Sequence, residues 1–264
     1  MISIYNITKL FLIFGIGFGM DIKMGVCMKQ LSNAISLNFI DYIKFTTLII
    51  IDTQGCFMNK NASLYVNNSM SIVDPINSLI NLGWGGGVVL TQDWHPSNHI
   101  SFALTHNEKP FTLKKIYSKT VPESIDQILW PTHCVQNTVE AEIHPYIQQK
   151  SNMIVIRKGQ NINIDSYSAF GDKLGGKYEK TFLDNILSLN NINTLVLTGI
   201  ATDYCVFYTA KDAIRLGYKV FLIENCVKGV DPVTTSNALD SMRNMGVIIV
   251  KNENEFIRMI VGMN

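Results

Sequence analysis

From residue 45 onward, apolar positions come in short unbroken runs. They are FTTLIIID (Phe45–Asp52), GVVLTQD (Gly87–Asp93), MIVIRKG (Met153–Gly159), NTLVLTG (Asn193–Gly199), KVFLIEN (Lys219–Asn225) and VIIVK (Val247–Lys251). A strand buried on both faces needs apolar side chains at successive positions, so each run predicts a parallel strand. Helical patterns fall between several of them, over Ser71–Asn81, Tyr178–Leu189, Thr202–Leu216 and Thr234–Met245, each followed by Gly, Asn or a short turn. This βαβ alternation predicts an open, mostly parallel sheet covered by helices. The polar-interrupted stretch from Trp94 to Asn152 breaks the rhythm, and an insertion of that length in a compact domain usually serves function.

Composition changes this picture in a few respects. A chain of 264 residues with 47% hydrophobic content can bury one large α/β core. With no repeat or low-complexity linker, one domain is expected over residues 46–264, after an extension of residues 1–45. Charged residues make up 16% and the net charge is +1, which gives no footprint for nucleic acid or an anionic membrane surface. The five cysteines are scattered without a CxxC pair, so no disulfide framework is expected. The same usage predicts a reducing compartment, the cytoplasm or nucleus. Lys9 precedes the apolar run Leu10–Met20, which is too short to span a bilayer. It has the length of a signal-peptide core without a clean small-x-small cleavage site, and is read as an extension outside the fold.

Ligands of open parallel sheets sit beyond the carboxyl ends of the strands. Asp52 ends the first run, Asp93 the second and Lys158 the third, and Cys205 follows the fourth in GIATDYC. In TQDWHP, Asp93 and His95 are two apart on extended chain and face the same side. His133 in LWPTHC is the best third metal ligand, and an Asp-His-His set with open positions suits Zn²⁺ first, then Fe²⁺ or Mn²⁺. His99 or Ser101 could add a fourth ligand or support the others; otherwise His99, His106 and His144 read as ordinary hydrogen-bonded surface residues. Cys205, at the first turn of a predicted helix, gains from the positive helix end, and the Gly199–Thr202 turn can aim N–H groups at an oxyanion. Asp52 and Lys158 are the rim residues able to serve that thiol as base and cation. Gly85-Gly86-Gly87 lacks the GK[ST] ending of a phosphate loop and precedes a strand.

IDTQGCF, TQDWHPSNHISFA, ILWPTHCVQNT, DSYSAFGD and GIATDYCV together resemble the nicotinamidase family, the amidase branch of the isochorismatase-like hydrolases, in the same order from about residue 46 onward. The resemblance implies a three-layer α/β/α sandwich on a six-stranded, mostly parallel Rossmann-like sheet. It implies hydrolysis of nicotinamide, and of pyrazinamide as a surrogate, through a cysteine thioester in NAD salvage. It places the catalytic triad on Asp52, Lys158 and Cys205 and one divalent metal on Asp93, His95 and His133. It puts the oxyanion donors on Ala201 and Cys205, beside a cis Ile200–Ala201 peptide, and the aromatic ring contacts on Phe57, Trp130, Tyr167 and Tyr204. Partners are then the small-molecule substrate, with further copies of the chain an open alternative. One departure stands out: the family's first motif usually reads DxQNDF, and here Gly55 and Cys56 replace Asn and Asp. The rival readings are a superfamily hydrolase for a ureido acid or isochorismate-like substrate, whose branch typically lacks the metal set, and a non-catalytic protein, which would have lost a triad residue.

Overall fold

The computed structural model describes residues 37–262, so the apolar run Leu10–Met20 lies outside the described residues. Residues 37–43 form helix α1, which seats Phe39 and Ile43 in the core. The strands are β1 (Thr46–Ile51), β2 (Val88–Asp93), β3 (Leu113–Ile116), β4 (Ile125–Ile128), β5 (Ile154–Lys158), β6 (Thr194–Ile200), β7 (Lys219–Lys228) and β8 (Ile248–Val250). Six of them form one sheet in the order β5-β2-β1-β6-β7-β8. Every pairing in it is parallel. All residues of β1, β2 and β6 are buried, as their unbroken apolar runs require. Each isoleucine or leucine so removed from water contributes about 1.5–3 kcal/mol.

The six predicted strands are those of the sheet; β3 and β4 were not predicted. They form an antiparallel pair inside the Trp94–Asn152 insertion, where LKKI and IDQI are too short and too polar to carry a strand signature. The helix predicted from Tyr178 starts only at Leu183 (α4, Leu183–Leu189, after α2, Gly55–Met58, and α3, Val73–Ile80). The reason is Asp172: its carboxylate takes the backbone N–H groups of Tyr178 and Glu179, both at 2.6 Å, and holds that stretch as a loop. Gly85 and Gly86 spend their N–H groups on Ile43 and Thr46 carbonyls, so this turn packs against the chain and cradles no phosphate.

The expectation of no disulfide is overturned. Cys56 in α2 and Cys134 in the insertion are joined across 78 positions, while Cys205 and Cys226 are free. Sequence spacing could not show this, because the two sulfurs meet only where α2 and the insertion cross at the rim. In the chain-entropy account, closing a loop of that length stabilises the fold by up to about 4.5 kcal/mol.

Gly199 sits where β6 passes close to the backbone of β1. Its φ is +106°, and a Cβ there would lie 2.0 Å from the Ile51 carbonyl oxygen. Both the backbone angle and the clash oppose any side chain. Gly199→Ala is expected to lose roughly 3 kcal/mol or more of stability, read as a lowered urea midpoint at unchanged slope.

Candidate active site

Four adjacent strands deliver four reactive groups to one rim. In register, Asp93 at the end of β2 pairs with Lys158 at the end of β5, and Ile51 of β1 pairs with Gly199 of β6. Asp52 follows β1 directly, with φ at +47°. A non-glycine residue in that region stores about 1–3 kcal/mol of strain, here at the start of the reactive turn. After β6, residues Thr202–Val206 form a π-helical turn leading into α5 (Phe207–Arg215). That turn carries the Cys205 thiol back over the sheet end. The Ile200–Ala201 peptide is cis, as the resemblance implied.

The Lys158 ammonium is the hub. It lies 2.8 Å from Asp52 Oδ2 and 3.3 Å from Cys205 Sγ, and it donates to Asp93 Oδ1. Lys158, Asp52 and Asp93 are all buried. Burial opposes the ammonium, yet Asp52 and Asp93 outweigh it and hold Lys158 charged, well above its usual range. Burial pushes the Cys205 thiol up, against the pull of Lys158, so Cys205 rests as a thiol. Burial also raises Asp52, with Lys158 opposing. The Thr91 hydroxyl holds its other oxygen, Oδ1, at 2.5 Å. Reactive atoms of Asp52, Asp93 and Cys205 lie within 4.8 Å of one another.

Asp93 turns its second oxygen to the histidines: Oδ2 is 3.5 Å from His95 Nε2 and 3.8 Å from His133 Nε2. Both rings are set by backbone carbonyls. His95 Nδ1 meets the Gly159 carbonyl at 2.9 Å and His133 Nδ1 meets that of Pro131 at 2.7 Å. A carbonyl only accepts, so both Nδ1 atoms carry the proton and both Nε2 lone pairs face Asp93. Gly159 is required for this, because a Cβ there would lie 2.4 Å from the His95 ring.

The donor set fits a divalent cation. Two buried carboxylates against one buried ammonium leave an excess negative charge beside two imidazole lone pairs, with an N,N,O composition suited to Zn²⁺. His99 is no fourth ligand. Its nitrogens are spent on Ser101 Oγ at 2.7 Å and the Ile164 carbonyl at 3.1 Å, and its ring stacks on His95 at 4.2 Å. His99 and His144 are buried, which corrects their reading as surface residues; His106 is half-buried, with Nε2 on the Ile100 carbonyl. The Cys134 sulfur also lies within 4.8 Å of Asp93 and His133, but it is taken by Cys56.

Three of the four aromatic residues cluster beside Cys205. Trp130 meets Tyr204 edge-on at 4.8 Å and donates its Nε1–H to the Tyr167 hydroxyl at 3.0 Å, and Tyr167 and Tyr204 are 5.8 Å apart. Phe57 lies against His133 instead, with ring centroids 5.6 Å apart. Sequence reasoning passed over Gln54, although it lies in the quoted IDTQGCF. Its amide donates to the Asp93 and Ala141 carbonyls at 2.8 and 2.7 Å and accepts from the Asp93 N–H at 2.8 Å, joining the first motif to the second.

Residues 46–254 match the isochorismatase domain. The chain is 40% identical over 208 residues to the nicotinamidase of Escherichia coli (strain K12), covering 76% of this chain and 92% of that protein. A solved nicotinamidase/pyrazinamidase of Acinetobacter baumanii superposes with a TM-score of 0.70 at 38% identity, covering 78% of this chain and 96% of that one. The pyrazinamidase of Pyrococcus horikoshii, solved in complex with zinc, superposes with a TM-score of 0.63 at 32% identity, over 78% of this chain and 98% of that one. The chain belongs to the isochorismatase-domain family, in its nicotinamidase branch. Among the described residues no helix is long and apolar enough to cross a membrane.

The charges make metal uptake pH-dependent in a stated direction. Burial opposes the imidazolium of His95, but Asp93 outweighs it and raises the pKa above 6.5, whereas His133 is pushed by burial and by His95 down to about 4. A proton and a cation therefore compete for His95 Nε2. Divalent-cation affinity at this site is expected to fall as pH drops through the raised His95 pKa, with proton release on binding where His95 is protonated. Calorimetry in buffers of different ionisation enthalpy checks this; pH-independent uptake would contradict it.

Proposed function

We propose that this protein is an amidohydrolase that converts nicotinamide to nicotinate and ammonia, feeding NAD salvage, with pyrazinamide as a surrogate substrate. The observation that carries the reading is the single buried chain Cys205–Lys158–Asp93, which joins a thiol to a metal-type cage across one lysine. A small heteroaromatic amide has two ends of that description: a ring nitrogen for a Lewis acid and a carboxamide for a nucleophile. When bound to Asp93, His95 and His133, a divalent metal, zinc foremost, supplies Lewis acidity toward the ring nitrogen and so orients the substrate.

The protein's own residues perform the covalent chemistry. Trp130, Tyr167 and Tyr204 flank the ring on one side and Phe57 on the metal side, presenting the carboxamide carbon to sulfur. Asp52 takes the Cys205 proton, and Lys158 stabilises the thiolate as it forms. Sulfur attacks the carbonyl carbon, and the N–H groups of Ala201 and Cys205 hold the oxyanion. The C–N bond then breaks, the Asp52 proton passes to the leaving nitrogen, and ammonia departs from a thioester. Asp52, again a carboxylate, deprotonates a water that attacks the thioester. Nicotinate leaves and Cys205 recovers its proton. Acid–base transfer of this kind is worth roughly 10²–10⁴-fold, and each oxyanion donor roughly 10²–10³-fold.

The cytoplasmic or nuclear placement belongs to the same proposal. It is supported by a nucleophilic thiol that must stay reduced, while the Cys56–Cys134 disulfide counts against a uniformly reducing compartment. An isochorismate-type substrate is disfavoured by the intact Asp93, His95 and His133 cage.

Cys205→Ala is expected to abolish ammonia release from nicotinamide while leaving the zinc content of the purified protein unchanged. Asp52→Asn should lower kcat by about 10²–10⁴-fold with a smaller change in KM. Substantial turnover by Cys205→Ala would remove the covalent step.

A further inference from the structure

Three separate chain segments build the metal-type cage and its ring contact: Asp52–Phe57, Asp93–His95 and Trp130–Gln136. The first is clamped to the second by the Gln54 amide, which bonds both the N–H and the carbonyl of Asp93. The second is clamped to the third by a backbone bridge, in which His95 N–H donates to the Cys134 carbonyl at 3.1 Å and Gln136 N–H to the His95 carbonyl at 2.8 Å. The third side of this triangle, between the first segment and His133, is the Cys56–Cys134 bond. Both cysteines are buried, at 0% and 1% exposure.

The other ties between the first segment and the insertion enter eight or more residues past His133: Gly55 N–H donates to the Glu142 carbonyl at 3.1 Å, His144 N–H to the Thr53 carbonyl at 2.8 Å and the Gln54 amide to the Ala141 carbonyl at 2.7 Å. His133 Nδ1 bonds Pro131, two residues away on the same segment, which sets the ring's tilt and tautomer but not its position relative to the other ligands. The Ser63 hydroxyl reaches the Thr132 carbonyl at 2.5 Å in an exposed setting, where water competes for it. Phe57 touches His133 only through the rings, at 5.6 Å. Cys56 is the immediate neighbour of Phe57 and Cys134 that of His133, so one covalent bond spaces the stacking ring and the ligand ring together. Cys134 is also held at φ +44°, a left-handed conformation that an unlinked cysteine would tend to leave.

We propose that the Cys56–Cys134 crosslink is a positioning device that preorganises His133 for metal and Phe57 for the substrate ring, making tight metal binding conditional on an oxidised cysteine pair. This rests on the reading of Asp93, His95 and His133 as the metal ligands. Partners that orient a first ligand typically change metal affinity by about 10–100-fold when removed, and the crosslink occupies that role here. It acts through His133 and Phe57 and touches no reacting atom.

The test is a zinc competition titration of metal-stripped protein against a chromophoric chelator, on the full chain in three forms. These are the wild type as purified, the wild type opened by a water-soluble phosphine that is then removed under argon, and Cys56→Ser/Cys134→Ser. The phosphine attacks one sulfur and the S–S bond breaks; water supplies the oxygen that ends on phosphorus, and both sulfurs leave as thiols. Both crosslink-free forms are expected to bind zinc at least 10-fold more weakly, and reoxidation should restore the opened wild type. With zinc saturating, KM for nicotinamide should rise at least fivefold while kcat stays within about threefold, a split that general loosening of the fold would not produce. If the double variant does not fold, the opened and reoxidised wild type carries the test alone. Zinc affinities within twofold of each other, or a native protein in which mass spectrometry finds the pair reduced, would overturn the proposal. A wild type that binds no zinc at all would overturn the ligand assignment with it, so the two failures are distinguishable.

Discussion

A single buried cation organises this protein. Lys158 faces two carboxylates and a thiol in a site without water-exposed charge. An ammonium removed from water costs several kcal/mol unless its partners are close and well aimed. Here Asp52 and Asp93 supply that compensation from two different strands, so the ends of β1, β2 and β5 cannot move independently. The same contacts give the site its asymmetry. One carboxylate shares the lysine with the thiol, the other turns its second oxygen to the histidines, and the lysine lies between the two ends.

Around that hub the fold supplies rigidity through bonds that take no part in chemistry. Gln54 ties the first motif to the Asp93 backbone, Thr91 holds the Asp52 carboxylate, and carbonyls of Gly159 and Pro131 set two imidazole tautomers. Each is a second partner that leaves the reactive atom free. The disulfide adds a covalent tie between the neighbour of Phe57 and the neighbour of His133. A site built in this way pays for its geometry during folding, so little reorganisation is left for the moment of reaction.

Much of the fold was legible because strand burial leaves an unmistakable pattern. Runs such as Leu48–Ile51 and Leu195–Leu197 have no polar position to spare, and each became a buried strand. The elements that escaped are those whose stability comes from distant partners. β3 and β4 are too polar to announce themselves, and the helix start was moved to Leu183 by an aspartate acting on N–H groups six and seven residues on. That Asp52, Asp93, His95, His133, Lys158 and Cys205 would meet at one rim was legible because strand ends carry few reactive groups by chance, and because five short motifs resemble one family.

The sequence by itself determined which residues could react and which strands would be buried, since both follow from local chemistry and from the period of side-chain directions along the chain. Only the tertiary structure decided how those groups are shared. It made Lys158 common to thiol and cage, spent both nitrogens of His99 elsewhere, and brought Cys56 to Cys134. The physical reason is that contacts between residues far apart in sequence depend on strand order and loop crossing. A list of side chains contains neither.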